Sequence, residues 1–227
     1  MKVLSVDVGN TTAHLCEFTG GTAMDLGRVR HDDLESFEGD YDLVGAVCVR
    51  ESFKDTLRDI FGDRLRIIEK RDIPIEVDYG TPETLGTDRV LNAYSVMLKG
   101  VESAVIVSVG TAIVVDLLLE GVFKGGFITA GPRLKGNCLG TRAEGIPILE
   151  PGRTEVLVGR STQECVRGGI YLESYFYIKN TAKRWVENFK KELPIVITGG
   201  DGWMFEELGE YDPLLIHRGI YSIIING

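Results

Sequence analysis

No stretch of the 227 residues holds the ~18 consecutive apolar side chains that a membrane-spanning helix needs, and the first apolar run meets Asp7 after six residues. The expectation is a cytosolic protein with no membrane partner. Cysteine is sparse: four residues, at 16, 48, 138 and 165, form no C-x-x-C pair. Neither a zinc knuckle nor a dithiol redox motif is encoded, which leaves buried, reduced thiols as the expectation. Positive charge is also short, with 25 Lys and Arg against 34 Asp and Glu and a net charge of -9. That is the opposite of the basic face a general nucleic-acid binder carries. It leaves room for an anionic small ligand held by local backbone donors.

What is present is a globular composition, 44% hydrophobic and 26% charged, too rich in Ile, Val and Leu for disorder. Met1 to Asp7 reads as a buried strand, Gly9-Asn10-Thr11 as a tight turn and Ala13 to Phe18 as the return strand. A third strand is expected around Ala23 to Val29, then helix near Asp32 to Phe37 and the apolar strand Leu43 to Val49. Helix returns at Ser52 to Phe61, with apolar residues at Phe53, Leu57, Ile60 and Phe61, before a short strand at Leu65 to Ile68. The second half repeats the order: strand Ala104 to Ser108, a glycine-threonine turn, strand Ile113 to Leu119 and strand Val122 to Ile128. Helices follow around Pro132 to Leu139 and Thr162 to Asn188, and the strand Ile195 to Thr198 ends in Gly199-Gly200-Asp201. The expected fold class is α/β, two duplicated βββαβαβ domains of the actin-like (ribonuclease-H-like) kind at 1–102 and 103–227, with a nucleotide cleft between them.

The glycine turns suggest what such a fold would hold. Glycine lacks the Cβ that keeps a phosphate away from backbone N–H groups, and Thr11 and Thr12 add hydroxyl donors. Asp7 repels phosphate, so Mg²⁺ or its bound water is the natural bridge; the plainer reading is that Asp7 supports an Asx turn. The second turn, Gly110-Thr111-Ala112, offers similar donors, but the position equivalent to Asp7 is Ser108. A third stretch, "YGTPETLGTDRVLNAY", places Gly86 and Thr87 before Asp88-Arg89 and an apolar helical run. Thr87 or Asp88 can be read as a helix N-cap. Phosphoryl transfer to an alcohol offers another role, because it asks for a carboxylate to accept the hydroxyl proton and for positive charge nearby.

With these motifs in view, the chain resembles the type III pantothenate kinases. The resemblance rests on "DVGNT" (7–11), "GTDR" (86–89), "GTA" (110–112), "GGFITAG" (125–131), "STQECVRGG" (161–169) and "TGGD" (198–201), in that order. It implies ATP-dependent phosphorylation of pantothenate to 4'-phosphopantothenate, the first step towards coenzyme A. It implies that Asp7, Val8, Gly9, Asn10, Thr11, Thr12, Ala13 and His14, together with Thr111, line ATP. Asp88 is then the general base, and Tyr79, Gly86, Thr87, Asp88, Arg89 and Thr162 contact pantothenate. Mg²⁺ accompanies ATP, with Asp7 reaching it through water. A monovalent cation, K⁺ or NH4⁺, is bound in the family by the aspartate of the second turn. Here Ser108 stands at that position and is a weaker ligand for a hard cation. A homodimer is also implied. Ser161, Ile113-Val114 and Ala130 depart from the family pattern. Two other readings stay open: a non-catalytic accessory or regulatory paralogue, and a small-molecule kinase with another acceptor.

Overall fold

The structure, a computed structural model, describes residues 1–34, 37 and 39–227. Contacts divide the chain into two units. One comprises Met1–Val101, Gly121–Phe123 and Leu214–Gly227; the other comprises Glu102–Glu120 and Lys124–Pro213.

In the first unit, β1 (Lys2–Val8) is apolar on both faces, with Val3, Leu4, Val6 and Val8 fully buried. A strand without a solvent face belongs in the middle of a covered sheet. β2 (Thr12–Thr19) and β3 (Thr22–Arg30) follow antiparallel, and β3, mostly exposed and carrying charged residues, forms the edge. The helix expected near Asp32 begins as α1 (His31–Leu34), and Glu35 and Ser36 lie outside the described residues. β4 (Leu43–Cys48), α2 (Lys54–Phe61) and β5 (Leu65–Ile67) complete a sheet ordered β3-β2-β1-β4-β5, with β4 parallel to β1 and β5. This is the expected βββαβαβ order. Leu4, Val6 and Val8 join Leu57 and Phe61 in one core. Fully burying each such aliphatic side chain contributes about 1.5–3 kcal/mol.

The remaining elements of this unit are β6 (Glu76–Val77) and α3 (Thr87–Met97), and β6 pairs with Val122 and Phe123. The second unit holds β7 (Ala104–Val109), β8 (Ala112–Leu119) and, from Lys124 on, β9 (Val122–Ala130), whose first two residues group with the first unit. It continues with α4 (Pro132–Arg142), α5 (Thr162–Phe189), β10 (Ile195–Thr198) and β11 (Glu210–Tyr211). Its strands lie in the order β11-β10-β7-β8-β9, so β7 takes the central place that β1 holds in the first sheet. Val105, Val107 and Val109 pack with Tyr171 and Ile178 of α5.

The closing helix α6 (Leu215–Asn226) groups with the first unit, where it packs on α3, β1 and β4. Its buried Ile220, Ile223 and Ile224 explain why: those faces still need apolar cover. Among the described residues no helix is long and apolar enough to cross a membrane. The four cysteines are free, but only Cys16 is buried; Cys48 is half-buried, and Cys138 and Cys165 are exposed, contrary to the burial expected of them.

Candidate active site

Asp7 and Ser108 occupy equivalent places. β1 and β7 end with the same burial sequence, and each has its half-buried position one residue before the last. The two hairpins differ in length, because four residues separate the paired Val8 and Ala13 while three separate Val109 and Ile113. In the first turn Gly9 N–H donates to Thr12 O at 3.0 Å, leaving Asn10 and Thr11 at an exposed tip. In the second, Gly110 N–H donates to Ala112 O at 2.9 Å, and Gly131 N–H reaches in to Thr111 O at 2.8 Å. Both turns stand at the carboxyl end of the central strand, where open α/β sheets present their ligand sites.

Asp7 meets a second carboxylate here. α3 begins at Thr87 with Gly86 as its N-cap, and no side chain supplies a capping hydrogen bond. Thr87 and Asp88 therefore do not cap the helix, contrary to that reading of the sequence. Asp88 instead folds back over Gly86, whose missing Cβ leaves room for the carboxylate. The Asp7 carboxyl keeps some surface open to solvent, yet it is packed closely enough that burial first, then the nearby Asp88, push its pKa up to about 6 against the opposing pull of Arg28. Two carboxylates within reach of each other, one poorly solvated, favour a bound cation. Among the described residues no three His, Cys, Asp or Glu side chains gather as a metal cage.

This arrangement has a consequence for stability. An acid whose pKa is higher folded than unfolded favours folding while protonated, and that contribution is lost as pH rises from about 4 through about 6. In EDTA, Asp7→Asn is expected to gain about 2 kcal/mol on wild type across that interval, after discounting for partial solvent screening. Urea unfolding of both proteins at several pH values measures it. A difference independent of pH would show that Asp7 is solvated like a surface carboxylate.

Arg89 is buried, and its guanidinium lies 5.7 Å from the Tyr79 ring centre and 5.6 Å from that of Phe123. Cation–π contacts of this kind stabilise by about 0.5–2 kcal/mol and hold the planar group in one orientation. The structure thus brings together Tyr79 and Arg89, as it does Asp7 and Asp88. Phe123 was not anticipated; it sits on another strand, and no local motif marks it. His14 turns into the protein: its Nε2 lies 2.8 Å from Asp25 Oδ1 and its ring meets His217 edge-on at 4.5 Å. Burial holds its pKa below the usual histidine value.

Thr162 is exposed at the first turn of α5. Its neighbour Ser161 caps that helix, accepting from Glu164 N–H at 3.2 Å while Glu164 Oε2 accepts from Ser161 N–H at 3.2 Å. The Ser-x-x-Glu spacing of a capping box was legible, so the departure at 161 has a structural use. Ser108 lies half-buried beside Thr198 of β10 and Val114 of β8.

Two α/β units, each opening with an antiparallel hairpin whose turn follows a buried central strand, define a duplicated actin-like fold. A family model described as type III pantothenate kinase matches residues 44–184. A type III pantothenate kinase of Aquifex aeolicus is 43% identical over 224 residues, 99% of this chain and 97% of that protein. Another from Chlorobaculum parvum is 30% identical over 96% of this chain and 92% of its own length. The chain belongs to the type III pantothenate kinases. A Campylobacter jejuni structure described as a Baf family transcriptional activator superposes with a TM-score of 0.72 at 21% identity, covering 98% of each chain. At that identity the likeness is one of fold.

Proposed function

We propose that this protein transfers the γ-phosphoryl group of ATP to the hydroxyl of pantothenate, yielding 4'-phosphopantothenate and ADP. The observation that carries the site assignment is the closeness of Asp7 and Asp88, beside an Arg89 whose guanidinium packs against two aromatic rings. Asp88 accepts the hydroxyl proton as the acceptor oxygen bonds to phosphorus and the bond to the β,γ-bridging oxygen breaks. Arg89 pairs with the carboxylate of pantothenate, a contact suited to a guanidinium fork, and Tyr79, Gly86, Thr87 and Thr162 complete acceptor binding. Asp7, the Gly9 to Thr12 turn and Thr111 bind ATP. Asp7 would hold the nucleotide's Mg²⁺ through bound water, and the ion would supply charge neutralisation at the transferring group. Turnover requiring both ATP and pantothenate is expected from the purified protein. No product with potassium, with ammonium and with neither would overturn the assignment.

Ser108 bears on the monovalent cation. A neutral hydroxyl holds a hard cation more weakly than a carboxylate, so wild-type turnover is expected to respond less than about twofold to potassium, and Ser108→Asp to respond several-fold. An identical potassium titration for the two proteins would remove position 108 from cation binding. A cytosolic homodimer completes the proposal, and sedimentation at twice the 25.0 kDa chain mass is the expected result.

A further inference from the structure

We propose that Arg28 is the residue that supplies positive charge to the ATP phosphates at the Gly9–Thr12 turn, an inference that rests on the kinase reading above. The turn itself has no strong cation: residues 7–14 contain neither Lys nor Arg, and His14 is buried against Asp25 and His217. An ATP molecule nevertheless brings up to four negative charges beside Asp7, more than one Mg²⁺ offsets.

The register of the first sheet provides the missing charge. Asp7 stands opposite His14 across β1 and β2, and His14 stands opposite Arg28 across β2 and β3. Directly opposed residues of antiparallel strands share a face, so the three lie in one row on the same side of the sheet. A β-bulge creates this alignment. Leu15 pairs with Gly27 but Cys16 with Asp25, so Leu26 is the extra residue. Without it Arg28 would pair with Ala13 and turn to the other face, because a one-residue slip reverses every side chain. The bulge is held by Gly27, whose φ of +85° suits glycine, and by Asp25 Oδ1, which accepts the Gly27 N–H at 2.8 Å.

Arg28 is exposed, and among the described residues it forms no ion pair. Asp25 is nearby, but its Oδ1 is already engaged by Gly27 N–H and by the His14 ring. The field of the guanidinium reaches Asp7, His14 and His217 alike, which places it over this face of the sheet.

Calorimetry with adenosine, ADP and ATP, each with Mg²⁺, on wild type, Arg28→Gln and Arg28→Lys tests the assignment. For Arg28→Gln, adenosine affinity is expected to stay within about twofold while ATP affinity falls about 10- to 100-fold, with ADP between, as for loss of a charge-assisted phosphate contact. KM for ATP rises accordingly and KM for pantothenate does not. Arg28→Lys recovers most of the ATP affinity and carries the test if the glutamine variant fails to fold. Equal losses for all three ligands would indicate a merely structural arginine and overturn the proposal, as would unchanged ATP affinity. Wild type that binds ATP but transfers nothing to pantothenate would sink the kinase reading and leave the Arg28 comparison standing.

Discussion

Asp88→Asn is expected to lower kcat by about a thousandfold, within the range that general-base removal costs, while the protein folds normally and still binds ATP and pantothenate. The substitution keeps the shape that packs over Gly86 but deletes the proton acceptor. It also removes a negative charge close to Asp7, so affinity for Mg²⁺-bound ATP should hold or change only modestly. Steady-state kinetics with each substrate varied separate the two effects. A fall of only a few-fold in kcat would show that Asp88 is not the base, and a large rise in KM with kcat intact would assign it to substrate binding.

Gly131→Ala is expected to destabilise by roughly 3 kcal/mol or more, lowering Tm by about 6–12 °C for a chain of this size. A Cβ at 131 would run into the carbonyl oxygens of Gly110 and Thr111, and backbone at the second turn cannot swing aside as a flexible side chain can. The Gly131 N–H that closes on Thr111 O would be displaced with it. Gly110→Ala is the control, because the added methyl meets nothing within 4 Å, and it should cost below about 1 kcal/mol. Calorimetric scans of both variants decide the matter. Equal losses would mean that close approach at 131 is not what the glycine serves.

Much of the fold was legible because it is written in local patterns. Strands β1, β2, β7 and β8 are apolar runs broken by glycine turns, and helix α5 shows as one long segment; each was placed to within a residue or two. Features that depend on residues distant in sequence were harder to read. The N-cap of α3 is Gly86, because Asp88 is drawn back over it in the folded site. Phe123 reaches Arg89 only because β9 pairs with β6. The bulge at Leu26 looks, in sequence, like an ordinary strand position. The two turns, so alike in letters, differ by one residue in length once their pairings are known.

By itself the sequence determined the duplicated α/β order, the carboxylate at position 7 with serine at 108, and the motif carrying Asp88 and Arg89. These follow from periodicity and turn chemistry, which act over a few residues. Only the tertiary structure decided that Asp7 and Asp88 share one electrostatic environment, that Arg89 packs against Tyr79 and Phe123, and that α6 covers the first unit. It also decided that Arg28 faces the Asp7 side of the sheet. The physical reason is the same in each case: register and packing place side chains by contacts between distant segments, and a single extra residue in a strand reverses the face to which a charge points.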